Sequence, residues 1–164
     1  MDFSEKEKPK KIYDKKSAFL KAQQYCAYQE RSQQEVRNKL YDWGLHKEDV
    51  ENVIIDLITE GFLNEERFAI AFAGGKFRIK KWGKVKIRLE LKKHKISTYC
   101  INKALTSIDS DEYIKSLKEI IEKKAKSITE KNMYKKNYKI ATYAISKGFE
   151  NELVKEILAE ISEQ

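Results

Sequence analysis

Proline occurs once in this 164-residue chain, as Pro9, and glycine only six times. With so few helix-breaking residues, long stretches are free to be helical. Cysteine occurs twice, as Cys26 and Cys100, each alone inside an apolar helical pattern. Both are expected to be reduced core thiols, since an isolated cysteine behaves as a small hydrophobe. The two histidines, His46 and His94, have no cysteine or carboxylate set arranged around them, so the pattern carries no metal site. Phosphate loops of the GxxxxGK[ST] type, HExxH and nucleophile motifs are all absent, and the carboxylates sit beside lysines on amphipathic helices. The expectation is therefore a protein that is not an enzyme. No apolar run approaches the roughly 20 residues of a membrane span. The opening MDFSEKEKPKKIYDKK lacks the apolar core of a secretory signal. Together these point to a cytoplasmic protein with no membrane partner.

What is present is charge and periodic aliphatic residues. Charged residues make up 37% and hydrophobic residues 41%. The low mean hydropathy of −0.70 does not imply disorder, because Leu, Ile, Phe and Tyr recur throughout. Three segments resemble one another: WGLHKEDVENVIIDLI, HKISTYCINKALTSI and KGFENELVKEILAEI. When they are aligned on Leu45, Ile96 and Phe149, apolar residues recur at matching offsets. Val50, Ile101 and Val154 follow by five, and Leu57, Ile108 and Ile161 by twelve. Val36, Ile87 and Ile140 precede by nine, and Leu40, Leu91 and Ala144 by five. Spacings near 3.6 put these side chains on one helical face, and the fixed period indicates repeated units.

The expected fold class is all-α, with three tandem three-helix repeats. The boundaries are a charged tail over 1–16, then repeats over 17–60, 61–109 and 110–164. Ser32-Gln-Gln-Glu35 reads as a capping box, and Asn64 as a cap for the helix that follows. Gly44 and Gly148 stand where a helix ends in left-handed backbone, and Lys95 holds the equivalent place in the second repeat. If Lys95 is left-handed, it is strained by roughly 1 kcal/mol against glycine. Gly74-Gly75 inside a helix costs about 2 kcal/mol against alanines, so either close packing needs the pair or the helix loosens there.

Charge is concentrated. Between Lys76 and Lys95 stand eight Lys, two Arg and one acid, Glu90. Residues 44–66 are the reverse, with seven acids against Lys47 alone. Ten basic groups repel one another, so a partner that neutralises them is expected. Residues 84–91 alternate as a strand would, but the repeat equates them with the plainly helical SQQEVRNKLYDW, and helix is preferred. On a helix Lys84, Arg88 and Lys92 share a face, with Lys81 in line before them. The candidate binding residues are Lys76, Arg78, Lys80, Lys81, Trp82, Lys84, Lys86, Arg88, Lys92 and Lys93. The bland alternative is a solvated helix face. Trp82 is either a wedge buried at the turn or a stacking platform. Tyr25, Tyr28 and Tyr41 read as core and core-edge residues. Arg67 reads either as part of the binding motif or as a structural ion-pair partner of Glu65, Glu66 or the preceding acidic helix.

At GFLNEERFAIAFAGGKFRIKKWGKVKIRLELKKHKI the chain resembles the RecX family of recombination regulators. Gly61, Phe62, Leu63, Asn64, Arg67, Phe68, Ala69 and Phe72 match the first half of the family's central motif. Trp82, Gly83, Ile87, Arg88, Leu91 and Ile96 match the second. Lys84 departs from a common proline, and Lys95 from a common glycine. The resemblance implies an elongated, curved molecule that binds in the groove of the RecA filament on single-stranded DNA. It also implies inhibition of the RecA ATPase and strand exchange, a role in homologous recombination, DNA repair and the SOS response, and no cofactor. Single- or double-stranded DNA is a further expected partner, and the chain is expected to be a monomer because it supplies three units of its own. The rival reading is a stand-alone helix-turn-helix-like DNA-binding protein. A scaffold whose basic face meets an acidic protein is a third.

Overall fold

The computed structural model describes residues 10–164, and the expected tail over 1–16 lies largely outside them. Among the described residues there are nine α-helices and no strand. They are α1 (Lys15–Tyr28), α2 (Gln33–Asp42), α3 (Lys47–Thr59), α4 (Glu65–Lys80), α5 (Lys84–Lys93), α6 (Thr98–Thr106), α7 (Ser110–Ser127), α8 (Met133–Ser146) and α9 (Asn151–Ser162). The ambiguous segment at 84–91 is helical, as the repeat argument requires. None of these helices is long and apolar enough to cross a membrane. The chain divides into two compact units between Phe68 and Ala69.

The first unit is built on α1, α2 and α3. Asp14 caps α1 through the Ser17 amide at 2.7 Å. The Ser32–Glu35 capping box is complete, with the Ser32 amide on Glu35 Oε2 at 2.7 Å and the Glu35 amide on Ser32 Oγ at 3.1 Å. Ala18, Ala22, Val36, Leu40, Val50, Val53 and Leu57 form a core closed to solvent. Burial pushes the Cys26 thiol up to about 11, so it is a neutral core group. The segment just before α1 is not loose. The Tyr13 amide donates to the Trp43 carbonyl at 2.9 Å, and the two rings meet edge-on at 6.1 Å. Ile12 lies against Gly44. Tyr25 is half-buried beneath the Arg31 guanidinium, 3.8 Å from its ring centroid. Tyr28 and Tyr41, expected near the core, are exposed. Arg67 pairs with Glu30 and donates to the Gly61 carbonyl.

The second unit carries the remainder of α4 and α5–α9. Its core gathers Phe77, Ile87, Leu91, Ile101, Leu117, Ile121, Ile140, Phe149 and Val154. The repeat is legible bond by bond. The amides of Leu45, Ile96 and Phe149 each reach back to the carbonyl five residues earlier, on Leu40, Leu91 and Ala144, at 3.2, 3.2 and 3.3 Å. These are the same helix-ending turn at the same place in each repeat, and the end of α3 makes it once more, from the Phe62 amide to the Leu57 carbonyl at 2.8 Å past the left-handed Gly61. It requires left-handed backbone just before each anchor. Gly44 has φ +90° and Gly148 φ +98°, while Lys95 adopts φ +59° despite its side chain. Lys81, after α4, is also left-handed at φ +57°.

The paired glycines do not break α4. Gly74 is buried, and a methyl group there would press on the Arg78 guanidinium, which folds back over it. Gly75 has open space around its Cα. Packing therefore asks nothing of Gly75, and only the backbone entropy penalty remains. Gly75→Ala should stabilise the protein by up to about 1 kcal/mol in urea unfolding followed by helical circular dichroism. Destabilisation would show that Gly75 meets a neighbour in the folded state.

Candidate partner-binding site

The basic residues hang on one junction, where the turn between α4 and α5 meets the turn between α8 and α9. The Gly83 amide donates to the Lys147 carbonyl at 2.8 Å, and the Val85 amide to the Gly148 carbonyl at 2.9 Å. A methyl group on Gly83 would stand 2.3 Å from the Gly148 carbonyl, and one on Gly148 would stand 2.3 Å from Lys86 Cβ. Two backbones thus touch where neither position tolerates a side chain. The amide between them, on Lys84, donates to the Tyr113 hydroxyl at 2.9 Å, and that hydroxyl donates to Glu150 Oε2 at 2.6 Å. The first amides of α5 are therefore satisfied by the α7–α9 helices, with no side-chain cap of its own. Burial, with the bond to Glu150, holds the Tyr113 phenol well above its usual range, so it stays protonated and keeps donating. Its ring packs between Phe77 and Phe149, at centroid distances of 5.8 and 5.1 Å.

This junction distributes the ten candidate residues over several faces. Trp82 is half-buried at the turn and takes two ammonium groups on its ring, Lys76 at 5.0 Å and Lys86 at 4.7 Å. The ring is thus neither fully buried nor bare, for cations of its own chain lie against it. Lys84 and Arg88 lie toward α6 and α7. The Lys84 ammonium sits 4.8 Å from the Tyr113 ring centroid, and Arg88 donates to Asn102 Oδ1 at 3.0 Å. Together with Val85, Leu105 and Glu150 they line a cleft of about 400 Å³. Lys92 and Lys93 are exposed, and Lys93 is paired with Glu90 at 2.8 Å. They and Lys86 rim an apolar groove made by Val85, Leu89 and Ile145. Lys80 and Lys81 point away from that groove, into a separate cleft against α7 and α8. Arg78 is spent over Gly74.

Models of the three RecX domains match this chain in order: the first three-helix domain at residues 18–57, the second at 64–105 and the third at 111–158. The chain belongs to the RecX family. Curated relatives named regulatory protein RecX include one from Bacillus cytotoxicus, 24% identical over 147 residues, covering 90% of this chain and 54% of the relative. Another, from Clostridium acetobutylicum, is 30% identical over 135 residues, covering 80% of this chain and 62% of the relative. The chain thus spans little more than half the length of these relatives. The crystal structure of RecX from Lactobacillus salivarius superposes with a TM-score of 0.83 at 23% identity, covering 92% of this chain and 97% of that one. A second RecX crystal structure gives a TM-score of 0.80 at 19% identity, covering 88% and 71%. At these identities the likeness speaks for the fold.

In this RecX-family chain the junction partners Tyr113, Lys147, Gly148 and Glu150 were not among the sequence candidates. Their one signal was Gly148, read as a helix stop and not as a contact. Gly83→Ala should lower unfolding stability by at least about 2 kcal/mol, because backbone and not a pliable side chain stands in the way. An unchanged urea midpoint would mean the two turns do not touch in solution. Lys95→Gly should do the opposite and add about 1 kcal/mol, since it relieves left-handed backbone with no lost core contact.

Proposed function

We propose that this RecX-family chain inhibits the RecA recombinase, binding as a monomer in the groove of the RecA–single-stranded-DNA filament in the cytoplasm. Family membership across all three domains carries the reading. The basic α4–α5 region supports it, since its cations are presented from a backbone junction and not from flexible loops. Lys84 and Arg88 toward α6, Lys86 and Lys92 at the groove beside Leu89, and Lys76 and Trp82 at the turn are the contacts we assign to acidic RecA surface or to DNA phosphates. The acidic segment at 44–66 gives the chain a charge polarity that can orient it on a directional filament.

The test is the single-stranded-DNA-dependent ATPase of the cognate RecA, measured at fixed moderate salt while the protein is titrated in. Inhibition is expected well below one protein per RecA. No effect, together with tight and steeply salt-dependent binding to bare DNA, would replace this reading with a stand-alone DNA-binding protein. Residue assignment is tested by removing charge at Lys84, Arg88 and Lys92. Glutamine is preferable to glutamate at Lys84, because a carboxylate there would face Glu150. Lys84→Gln, Arg88→Gln and Lys92→Gln together should weaken inhibition roughly tenfold or more with unchanged helical circular dichroism. Full inhibition by that variant would remove the stripe from the contact.

A further inference from the structure

A second basic site lies on the third three-helix group, in the cleft of about 580 Å³ between the end of α4 and the helices α7 and α8. Five lysines reach it from three separate segments: Lys80 and Lys81, Lys123 and Lys124, and Lys147. A single acid, Glu119, is among its lining residues. Its walls are not polar throughout. Ile79, 78% exposed, Ile120 and the partly exposed ring of Tyr143 give it an apolar, partly flat surface. Lys124 sits 4.6 Å from the Tyr143 ring centroid, and Lys147 donates to the Lys80 carbonyl at 3.0 Å. Ser116, only 7% exposed, lies beneath the cleft among its lining residues.

We infer that this cleft binds a nucleoside phosphate, either one unit of a single strand or a free nucleotide. Two features fit that chemistry together. Phosphate oxygens match converging ammonium groups. A planar base matches an aromatic ring beside an exposed aliphatic side chain. A peptide of acidic residues alone would satisfy the lysines but would leave the Tyr143 and Ile79 surface without a matching group. The site is distinct from the α5 stripe and uses Lys80 and Lys81 in another direction. It rests on its own residues, so it stands or falls separately from RecA inhibition.

The test is a titration of the full chain, isotopically labelled, followed by amide NMR. Four probes are added in parallel at one ionic strength: a thymidine hexanucleotide, free thymidine triphosphate, inorganic pyrophosphate and a hexaglutamate peptide. The account expects shifts at residues 116, 123, 124, 143 and 147 with the hexanucleotide or the triphosphate, stronger than with the other two. A response to the hexanucleotide alone makes the ligand single-stranded nucleic acid, and a response to the triphosphate alone makes it a free nucleotide. Lys123→Gln with Lys124→Gln, and separately Tyr143→Leu, should each weaken binding by about tenfold with the rest of the spectrum retained. Equal responses to pyrophosphate or hexaglutamate would reduce the cleft to a general polyanion surface and overturn the inference. So would the absence of shifts at these residues. RecA ATPase inhibition by the Lys123/Lys124 variant separates this result from the function proposed above, which uses other side chains.

Discussion

Two glycines in backbone contact fix the start of the basic helix α5 in the second unit. At Gly83 and Gly148 the chain has no side chain to hold the α4–α5 and α8–α9 turns apart, and two amide–carbonyl bonds close between them. The contact supplies what the N-terminus of α5 lacks. That helix begins with Gly83 and a lysine, with no capping side chain and no acid in its first turn. Its exposed amides would otherwise meet a concentration of positive charge. The Lys147 and Gly148 carbonyls and the Tyr113 hydroxyl take those amides instead, and Glu150 adds a negative charge behind Tyr113. A strongly basic helix is thereby anchored at the end where its own dipole is least favourable to lysine.

The first unit uses the same device in another setting. The Tyr13 amide reaches the Trp43 carbonyl just before the left-handed Gly44, as the Gly83 amide reaches the Lys147 carbonyl just before the left-handed Gly148. The carbonyl at the end of a helix, next to a residue without Cβ, is a ready acceptor for a passing chain. In one case the passing chain is the segment before α1, and in the other the turn before α5. This explains why residues 12–14, which in sequence look like part of a charged tail, are tied down.

Local information carried far in this protein. The apolar offsets around Leu45, Ile96 and Phe149 identified three copies of one helix-ending turn, and the capping residues Ser32 and Asn64 act as their chemistry suggests. What the sequence could not convey were pairings between residues distant along the chain. Tyr113 and Glu150 have no motif around them, and Arg67 finds Glu30 across 37 positions. Summed charge also hides local patches. Outside Lys76–Lys95 the chain is close to neutral, but that balance averages the acidic 44–66 segment against residues 115–147, which hold ten lysines and three acids. The lysines of the α7–α8 cleft were hidden in that average. Counting charge in windows of about one helix pair would have separated them.

The support of the basic face of α5 depends on the junction being formed and stable in solution. Native-state hydrogen exchange at the Gly83, Lys84 and Val85 amides tests this directly. These amides stand at the start of a short, lysine-rich helix, where fraying is ordinarily expected. The account predicts protection that approaches that of the core amides in α7–α9, lost with the unfolding of those helices. Exchange as fast as that of an exposed helix end would contradict it, and would leave the basic face of α5 without the support argued here.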